Sequence, residues 1–533
     1  MNPAQLAQAR PLAVDAAPAL PPAPADNIIA KVITGDYRKD VLLEDLSDRW
    51  NVTAPVGTKT QVTFSFAADV PSYAAADDAK GFTAFTPELR AAARDILAKI
   101  SQIINVTFVE VSDSAASYGQ IRFASNDQGT VSAGYAYLPG STESPLDGDV
   151  YMATGYEGTA DPGSAAYATL LHEIGHALGL KHPGNYNAGE SRDSSAIGNF
   201  LNKAEDDTAH TVMSYRESPQ GLQPDSLAPF DVLTLRYLYG AKAVNTGDTT
   251  YALGEGNGSR MTTIVDDGGT DTVDLSAVVT NAVFSLQPGS INSVGSTVDN
   301  VAAVNNVALA LDARIERLIG GGGSDTLTGN ELANLIQGGP GDDTISGGGG
   351  IDTAAYAGTR ANFTLARTDT GWTVADSSGV EGTDTLDGVE RLTFSDTAVA
   401  LDLEGNAGTV AKLVGALLGK DALGNKVLVG LGLGLLDRGM SETGLADALV
   451  GKDLFAQAAG SHSNTDFVTL VYKNVVGELP DADALANFVG LLDSGAFTQG
   501  TLAVLAAETG LNQAAIDLVG LATTGLEFTP YAG

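Results

Sequence analysis

The sequence contains no cysteine. That absence excludes disulfide bonds, thiolate ligands for zinc, a cysteine nucleophile and a zymogen held inactive by a cysteine. Long hydrophobic runs are also missing. The longest one near the C-terminus, Val427–Leu436, is too short and too rich in glycine to cross a bilayer. We therefore expect no membrane span and a folded state that is secured without covalent cross-links.

Basic residues are scarce, with 29 Lys and Arg against 65 Asp and Glu, which gives a net charge of −36. A surface this acidic repels nucleic acid and anionic membranes, so neither is expected as a partner. It attracts divalent cations, and sites built from oxygen ligands favour calcium. Plain solvation of the surface is the simpler interpretation, and composition alone does not separate the two.

The chain has 533 residues, more than one hydrophobic core supports, so we expect three or four domains. Residues 1–26 are rich in Ala and Pro and are predicted to be a disordered leader, not a secretory signal peptide. Residues 27–241 mix strand alternation with helical periodicity and are typical of an α+β domain. Residues 242–400 combine Gly, Asp, Thr and Val with short strands, and residues 405–533 return to helical spacing.

Histidine is rare, yet three of the five histidines lie within the eleven residues HEIGHALGLKH. Residues four apart share one face of a helix, so His172 and His176 project side by side at a reach suited to one metal ion. Glu173 can reach a metal-bound water without being a ligand. Gly179 permits a left-handed turn that ends the helix and returns the chain to deliver His182. Three imidazoles with an open position are the ligand set of a catalytic zinc site.

The extended spacing HExxHxxGxxH is far more demanding than HExxH alone, and it is the metzincin signature when a methionine turn follows. The segment TVMSYRE supplies that turn at Met213. The competing interpretation, an ordinary core methionine, loses weight beside the upstream motif.

Four nine-residue units follow one another from Gly320 to Ala355. A flexible Gly-rich linker has no reason to keep both an acid and an apolar residue in register, so the pattern indicates a calcium-binding parallel β-roll. Two units make one coil, and units eighteen residues apart therefore stack. The sixth positions are Asp325, Asn334, Asp343 and Asp352, and the eighth are Leu327, Ile336, Ile345 and Ala354. Asp325 should pair with Asp343 at one calcium ion, and Asn334 with Asp352 at a weaker one, because asparagine is neutral.

Over about residues 27–400 the chain resembles the serralysins, metzincin zinc metalloendopeptidases of the RTX exoprotein group. The resemblance rests on HEIGHALGLKHPG, VMSYRE, APFDVLTLRYLYG and the glycine repeats. It implies an α+β metzincin catalytic domain, a calcium-binding parallel β-roll and a mostly α C-terminal module. It also implies that Thr130–Gly140 contains an edge strand that aligns a peptide substrate. The implied zinc ligands and catalytic residues are His172, His176, His182 and Tyr215 on Zn²⁺, with Glu173 as general base and Tyr215 on the oxyanion.

The resemblance further implies several structural Ca²⁺ ions. Where the family often has an arginine opening the first loop, this chain has Asn245. Upstream of the repeats, the implied ligands are Asn245, Gly247, Thr249, Asp266, Gly268, Asp271, Arg314 and Glu316. Within the repeats, they are Gly320, Gly321, Gly323, Asp325, Asn334, Gly338, Gly339, Gly341, Asp343, Gly347, Gly348, Gly350 and Asp352.

The function implied is a secreted endopeptidase that acts on protein substrates and is exported by type I secretion machinery. The alternative is an inactive or weakly active, calcium-dependent RTX surface or adhesive protein on a metzincin scaffold. Retention of Glu173 and all three histidines favours the enzyme. Residues 405–533 resemble a helical module of unassigned function, for which a spacer and a module for cell-surface attachment both remain open interpretations.

Overall fold

The structure is a computed structural model that describes residues 27–140, 144–155, 159–184 and 199–531. The predicted leader lies outside these residues. Two compact units are found, and the boundary between them lies at Asn330 and Glu331. The three-part division of residues 27–533 stays a prediction.

The first unit opens with a five-stranded sheet in the order β2-β1-β3-β5-β4. Its first four strands are parallel, and β4 pairs antiparallel with β5 at the edge. The strands are β1 (Thr60–Phe66), β2 (Val106–Glu110), β3 (Ile121–Asn126), β4 (Gly134–Ala136) and β5 (Val150–Ala153). The helices are α1 (Tyr37–Asp40), α2 (Ala76–Ala79), α3 (Pro87–Ile103), α4 (Ala165–Ala177) and α5 (Pro229–Tyr239).

The ends of these helices follow from local chemistry. The Thr86 hydroxyl accepts a hydrogen bond from the Leu89 N–H at the start of α3, as is typical of a threonine that caps a helix. Helix α4 ends at Ala177, two residues before Gly179. Gly179 adopts φ +101°, and a Cβ there would lie 2.0 Å from the Asp48 carbonyl oxygen. Only glycine fits this turn, which is what returns the chain towards His182.

Short strands make up the rest of the first unit. Strand β8 pairs in parallel with both β6 and β12, and β9 pairs in parallel with β13. Strand β11 lies between β7 and β10. The bounds are β6 (Thr250–Gly254), β7 (Thr262–Ile264), β8 (Thr272–Ala277), β9 (Val283–Ser285), β10 (Ile291–Asn292), β11 (Val307–Leu309), β12 (Arg317–Ile319) and β13 (Thr326–Thr328).

The second unit continues the short strands at nine-residue intervals. Strand β14 pairs in parallel with β16, which places Ile336 opposite Ala354, eighteen residues later. All four predicted apolar positions of the repeats are buried in their own units. The strands are β14 (Leu335–Gln337), β15 (Thr344–Ser346), β16 (Thr353–Ala355), β17 (Phe363–Arg367), β18 (Trp372–Asp376), β19 (Thr383–Asp387), β20 (Arg391–Thr393) and β21 (Ala398–Ala400).

The helical part of the second unit packs around one apolar core that extends from Ala398 to Phe528. The predicted order, strands first and helices after them, is confirmed. Strand β22 (Leu526–Phe528), which pairs antiparallel with β21, was not predicted. Within the described ranges, no helix has the length and apolar character needed to cross a bilayer. The helices are α6 (Asn406–Leu418), α7 (Lys426–Leu436), α8 (Glu442–Val450), α9 (Asp453–Ala459), α10 (Asn464–Val476), α11 (Ala482–Asp493), α12 (Gln499–Ala507), α13 (Gly510–Ala515) and α14 (Leu518–Thr524).

Candidate metal centre

Helix α4 and the turn after it bring three histidines to one point. The Nε2 atom of His182 lies 3.1 Å from Nε2 of His172 and 3.0 Å from Nε2 of His176. Two ligands held at about 2.0–2.1 Å from a tetrahedral ion lie about 3.3 Å apart, so the cluster has nearly the size of a zinc site. The metal-binding nitrogen atoms of these three side chains all lie within 4.8 Å of one another, close enough to hold one metal ion.

Hydrogen bonds to the main chain orient two of the rings. Nδ1 of His172 lies 2.7 Å from the Val212 carbonyl oxygen, and Nδ1 of His176 lies 2.6 Å from that of Leu180. A carbonyl oxygen only accepts, so each Nδ1 carries the proton and each Nε2 presents a lone pair. Carbonyl partners of this kind fix the ring of a metal-binding histidine.

Burial also keeps the rings neutral. It lowers the pKa of His172 to about 4 and that of His182 to about 3, and it lowers the pKa of His176 well below its usual value. A metal ion binds the neutral imidazole. The site is therefore in its metal-binding protonation state at neutral pH, and the donors present fit Zn²⁺.

Glu173 lies beside the cluster and is only 4% exposed. Its Oε2 atom has no hydrogen-bond partner among the described residues. Burial raises the pKa of this carboxyl group to about 8. A carboxyl group buried without a partner is costly, and such groups are typical of active sites. Here its position and its raised pKa suit an acid–base group.

The methionine turn packs under the same helix. Met213 is fully buried, and a Cβ on Gly175 would lie 2.6 Å from its sulfur atom. The next loop residue but one, Tyr215, places its ring centroid 4.4 Å from that of His182 and 5.8 Å from that of His172. Its side chain is 45% exposed, and burial raises the pKa of its phenol. The turn thus brings the predicted tyrosine to the histidines.

One residue that the sequence analysis missed supports this turn from α5. The Asp231 carboxylate accepts hydrogen bonds from the Thr211 hydroxyl at 2.6 Å, the Val212 N–H at 2.8 Å and the Ala228 N–H at 3.0 Å. Val212 in turn accepts the Nδ1–H of His172. The sequence feature that could have indicated Asp231 is an acidic residue in the first turn of the helix predicted from APFDVLTLRYLYG.

The predicted edge strand is β4, shorter than the segment proposed for it. A Cβ on Gly134 would lie 2.9 Å from Cγ and 3.1 Å from Oε1 of Glu173. The open edge of the sheet therefore adjoins the buried carboxylate.

In the first unit, the acidic side chains upstream of the repeats accept hydrogen bonds from main-chain N–H groups of neighbouring turns. We call such a series of carboxylate to main-chain bonds an acidic ladder. The Asp271 carboxylate accepts the Thr249 N–H at 2.7 Å, and the Asp271 N–H donates to Glu316 at 2.8 Å. Asp266 is fully buried and accepts the Tyr251 hydroxyl at 2.6 Å. Several predicted glycines, here and in the repeats, have positive φ values: Gly268, Gly339, Gly341, Gly348 and Gly350.

Other predicted positions have different contacts. The Asn245 amide donates to the Val265 carbonyl oxygen at 3.0 Å, and Thr249 donates to the Gly247 carbonyl oxygen at 2.8 Å. The Gly321 N–H donates to Asp325 at 2.7 Å. The proposed pairing of Asp325 with Asp343 joins the two units and stays a prediction, as do the roles of Arg314 and the remaining repeat glycines.

The ladder recurs in the second unit and includes two acids that the sequence analysis missed. The Asn334 N–H donates to Asp352 at 2.7 Å, and the Asp352 N–H donates to Glu390 at 2.8 Å. The Asp343 N–H likewise donates to Asp384 at 3.0 Å. Asp384 and Glu390 lie outside the nine-residue register, so the repeat does not reveal them. The signal available was an acid at or just before a short strand.

Comparison with known proteins agrees with this geometry. The family profile "Peptidase M10 serralysin C terminal" matches residues 230–467. The chain is 32% identical over 286 residues to the metallopeptidase AprA of Pseudomonas marginalis, covering 48% of this chain and 57% of that protein. It is 33% identical over 302 residues to serralysin C of Dickeya chrysanthemi, covering 52% and 60%. It is 30% identical over 333 residues to the serralysin of Proteus mirabilis, covering 56% and 65%.

The chain is related to the serralysin metalloproteases. The chain spans 57–65% of the length of these three relatives. The serralysin-like match runs to residue 467, so the expectation that the resemblance ends near residue 400 is wrong. A domain of unknown function, DUF4214, matches residues 446–510, within the helical module for which the sequence indicated no role.

Proposed function

We propose that this serralysin-like chain is a zinc-dependent endopeptidase. One observation carries the proposal. The Nε2 atom of His182 lies within 3.1 Å of the Nε2 atoms of His172 and His176. Beside this cluster is a buried glutamate, Glu173, whose Oε2 atom has no hydrogen-bond partner among the described residues. His172, His176 and His182 would hold the zinc ion, with Tyr215 as the further ligand implied by the family. When bound, zinc would act as a Lewis acid that activates water and polarises the scissile carbonyl.

The chain's own residues would supply the proton transfers. Glu173 would take a proton from the attacking water and deliver it to the nitrogen of the leaving amine. Its raised pKa suits both steps, because a group that titrates near neutral pH can accept and then release a proton. Tyr215 would donate its hydroxyl hydrogen to the carbonyl oxygen as negative charge develops there.

The substrate would be an extended polypeptide. Among the described residues, strand β4 has a partner on one side only, and an extended peptide can add to such an edge through main-chain hydrogen bonds. Main-chain hydrogen bonds depend little on the side chains of the substrate, so we expect cleavage of unfolded proteins with loose sequence preference.

The decisive experiment compares the wild-type chain with Glu173→Gln on denatured casein, in calcium and with one equivalent of zinc. Glutamine keeps the shape of the side chain but cannot take a proton. We expect a fall in kcat of about 10²–10⁴-fold, the usual contribution of a general base. Zinc content, measured on the same samples, should not change. Val519→Ala, at an exposed apolar position in the other unit, should behave as wild type.

The competing interpretation is an inactive RTX surface or adhesive protein. It predicts that zinc-loaded wild type and Glu173→Gln are equally inert. That result, with zinc bound and the chain folded, would overturn the peptidase proposal and favour the adhesive interpretation.

We also propose that the acidic ladders bind Ca²⁺ and that the chain works outside the cell. Asp271 and Asp352 are almost fully buried, and an oxygen atom of each has no hydrogen-bond partner in the described residues. Burying carboxylates close together is unfavourable unless a cation accompanies them. Calcium would then be required for full folding, which suits export by type I secretion machinery and folding outside. Finding the chain in the culture medium would support this, and attachment through the helical module would retain it on cells.

A further inference from the structure

Strand β4 has too few main-chain bonds to fix its own position. It contains three residues and pairs with one neighbouring strand in the part of the chain that the structure describes. The Ala133 carbonyl oxygen accepts the Ala153 N–H at 2.8 Å, and the Tyr137 N–H donates to the Asp149 carbonyl oxygen at 3.0 Å. Because antiparallel pairing alternates, Gly134 directs its N–H and C=O towards the open edge. A substrate strand would bind there.

Side chains behind the strand provide a second attachment. Tyr135 and Tyr137 both donate their hydroxyl hydrogens to Oδ1 of Asp78, at 2.7 and 3.0 Å. Asp78 lies in the short helix α2 and is only 2% exposed. Its other oxygen accepts the Ala75 N–H at 3.0 Å. Hydrogen bonds to a buried carboxylate are roughly twice as strong as neutral ones.

The support for Asp78 is itself fixed to the central sheet. The Asn126 amide, at the end of β3, donates to the Asp77 carbonyl oxygen at 3.2 Å and contacts the Tyr135 hydroxyl at 2.7 Å. The Tyr135 ring stacks on Tyr151 of β5, with centroids 5.1 Å apart. Helix α2 therefore cannot move without disturbing β3, and the tyrosines cannot move without disturbing β5.

The opposite face of β4 meets the proposed general base. Gly134 approaches Glu173 so closely that a Cβ would lie 2.9 Å from its Cγ. The strand is thus held between Asp78 on one side and Glu173 on the other. Its position relative to Glu173 depends on the two tyrosine hydroxyls.

We propose that Asp78, Tyr135 and Tyr137 form a positioning clamp that sets the open edge of β4 and so determines the affinity for extended substrates. This inference rests on the proposed peptidase function. The three residues act through the strand and do not touch the reacting atoms. Loosening the clamp should therefore weaken binding of peptides long enough to pair with β4. Short peptides that lack those main-chain bonds should be unaffected.

The test uses the full chain with zinc and calcium and one peptide series of increasing length around a single scissile bond. The double variant Tyr135→Phe/Tyr137→Phe keeps both rings but removes both hydroxyls. We expect KM for the longest peptide to rise on the order of tenfold, with kcat within about twofold. KM for the shortest peptide should not change. The fall in KM that the wild type shows as the peptide becomes longer should therefore be lost in the double variant. Asp78→Asn should show the same pattern more weakly, because its amide keeps one acceptor.

Tyr37→Phe is the matched control, since its hydroxyl donates to Glu205 at 2.7 Å in the same unit, away from β4. Melting temperature and zinc content are measured for every variant. Equal losses on short and long peptides, or an unchanged KM for the longest peptide, would overturn the clamp. Wild type that cleaves no peptide in the series would instead overturn the proposed function itself.

Discussion

At the residue scale, the site depends on an absent side chain as much as on the histidines. Gly134 has an extended backbone that any residue can adopt, so conformational freedom does not explain the glycine. The lack of space around Gly134 explains the glycine, because a Cβ there would contact both the Cγ and the Oε1 of Glu173. The strand edge and the carboxylate can adjoin only while this position has no side chain.

We predict that Gly134→Ala lowers kcat on denatured casein by at least tenfold, because the added methyl displaces Glu173. Zinc affinity should stay within about twofold, since the atoms nearest to the added methyl belong to Glu173 and Thr169 and not to a histidine. Gly256→Ala is the control: its Cβ would have no neighbour within 4 Å. Measuring kcat and zinc affinity on both variants decides the matter, and a Gly134→Ala enzyme with normal kcat would contradict this account of the glycine.

At the element scale, helix α5 holds the methionine turn through one acid. Asp231 accepts from Thr211 and Val212, and Val212 accepts from His172, so the helix reaches a candidate zinc ligand through two hydrogen bonds. Burial raises the pKa of Asp231 to about 7. Its three donors stabilise the ionised form against that burial.

We predict that Asp231→Asn weakens zinc binding by about 10–100-fold, the usual effect of losing an outer partner of a ligand. The amide keeps one acceptor oxygen and turns an NH₂ towards groups that donate. Competition with a chelator measures the zinc affinity. Asp113→Asn, which breaks the pair with Arg122 elsewhere in the first unit, should leave it unchanged. An equal loss in both variants would indicate general destabilisation and not a role at the metal.

Elements with strong local signals were predictable from the sequence. The start of α3 follows from Thr86, and the turn after α4 follows from Gly179. The register of the repeats follows from apolar residues nine positions apart. Asp384 and Glu390 were not predicted because their spacing does not follow the nine-residue repeat. Strand β22 was not predicted because its partner strand is distant in sequence. Helix caps, turns and repeats depend on residues that are close in sequence and can be predicted from it, whereas the contacts of Asp384, Glu390 and β22 depend on tertiary structure.

At the scale of the whole molecule, the acidic composition has a structural use in the ladders. Burial raises the pKa of Asp352 to about 7, with nearby Glu390 and Glu331 adding to the effect. Burial likewise raises the pKa of Asp384 to about 7. An unfolded aspartate titrates near pH 4. Without calcium, these two carboxyl groups therefore hold more protons in the folded state than in the unfolded state between about pH 4 and pH 7.

We predict that these ladder carboxyl groups stabilise the calcium-free chain less and less as pH rises through that window. The contribution of these groups is fully present below about pH 4 and is lost by about pH 7, at a rate of at most about 1.4 kcal/mol per pH unit for each group. Saturating calcium should remove the trend, because it binds the ionised carboxylates. Urea unfolding at pH 5.0 and 7.5, in EGTA or in calcium, measures both effects.

The matched variants are Asp352→Asn, which should flatten the pH dependence and weaken calcium binding, and Asp369→Asn at an exposed position, which should do neither. An Asp352→Asn variant whose urea midpoint in EGTA depends on pH in the same way as that of the wild type would contradict the ladder as a calcium site.

The pairing of β22 with β21 makes the entire helical region an insertion within a two-stranded hairpin. The hydrogen bonds between Ala400 and Leu526 close a loop that begins at Leu401 and ends at Gly525. The entropy cost of closing a loop grows only with the logarithm of its length, so the insertion is thermodynamically tolerable. Kinetically it is a late event, because contacts between distant residues form slowly. The hairpin can close only after the helices have compacted enough to bring its two strands together.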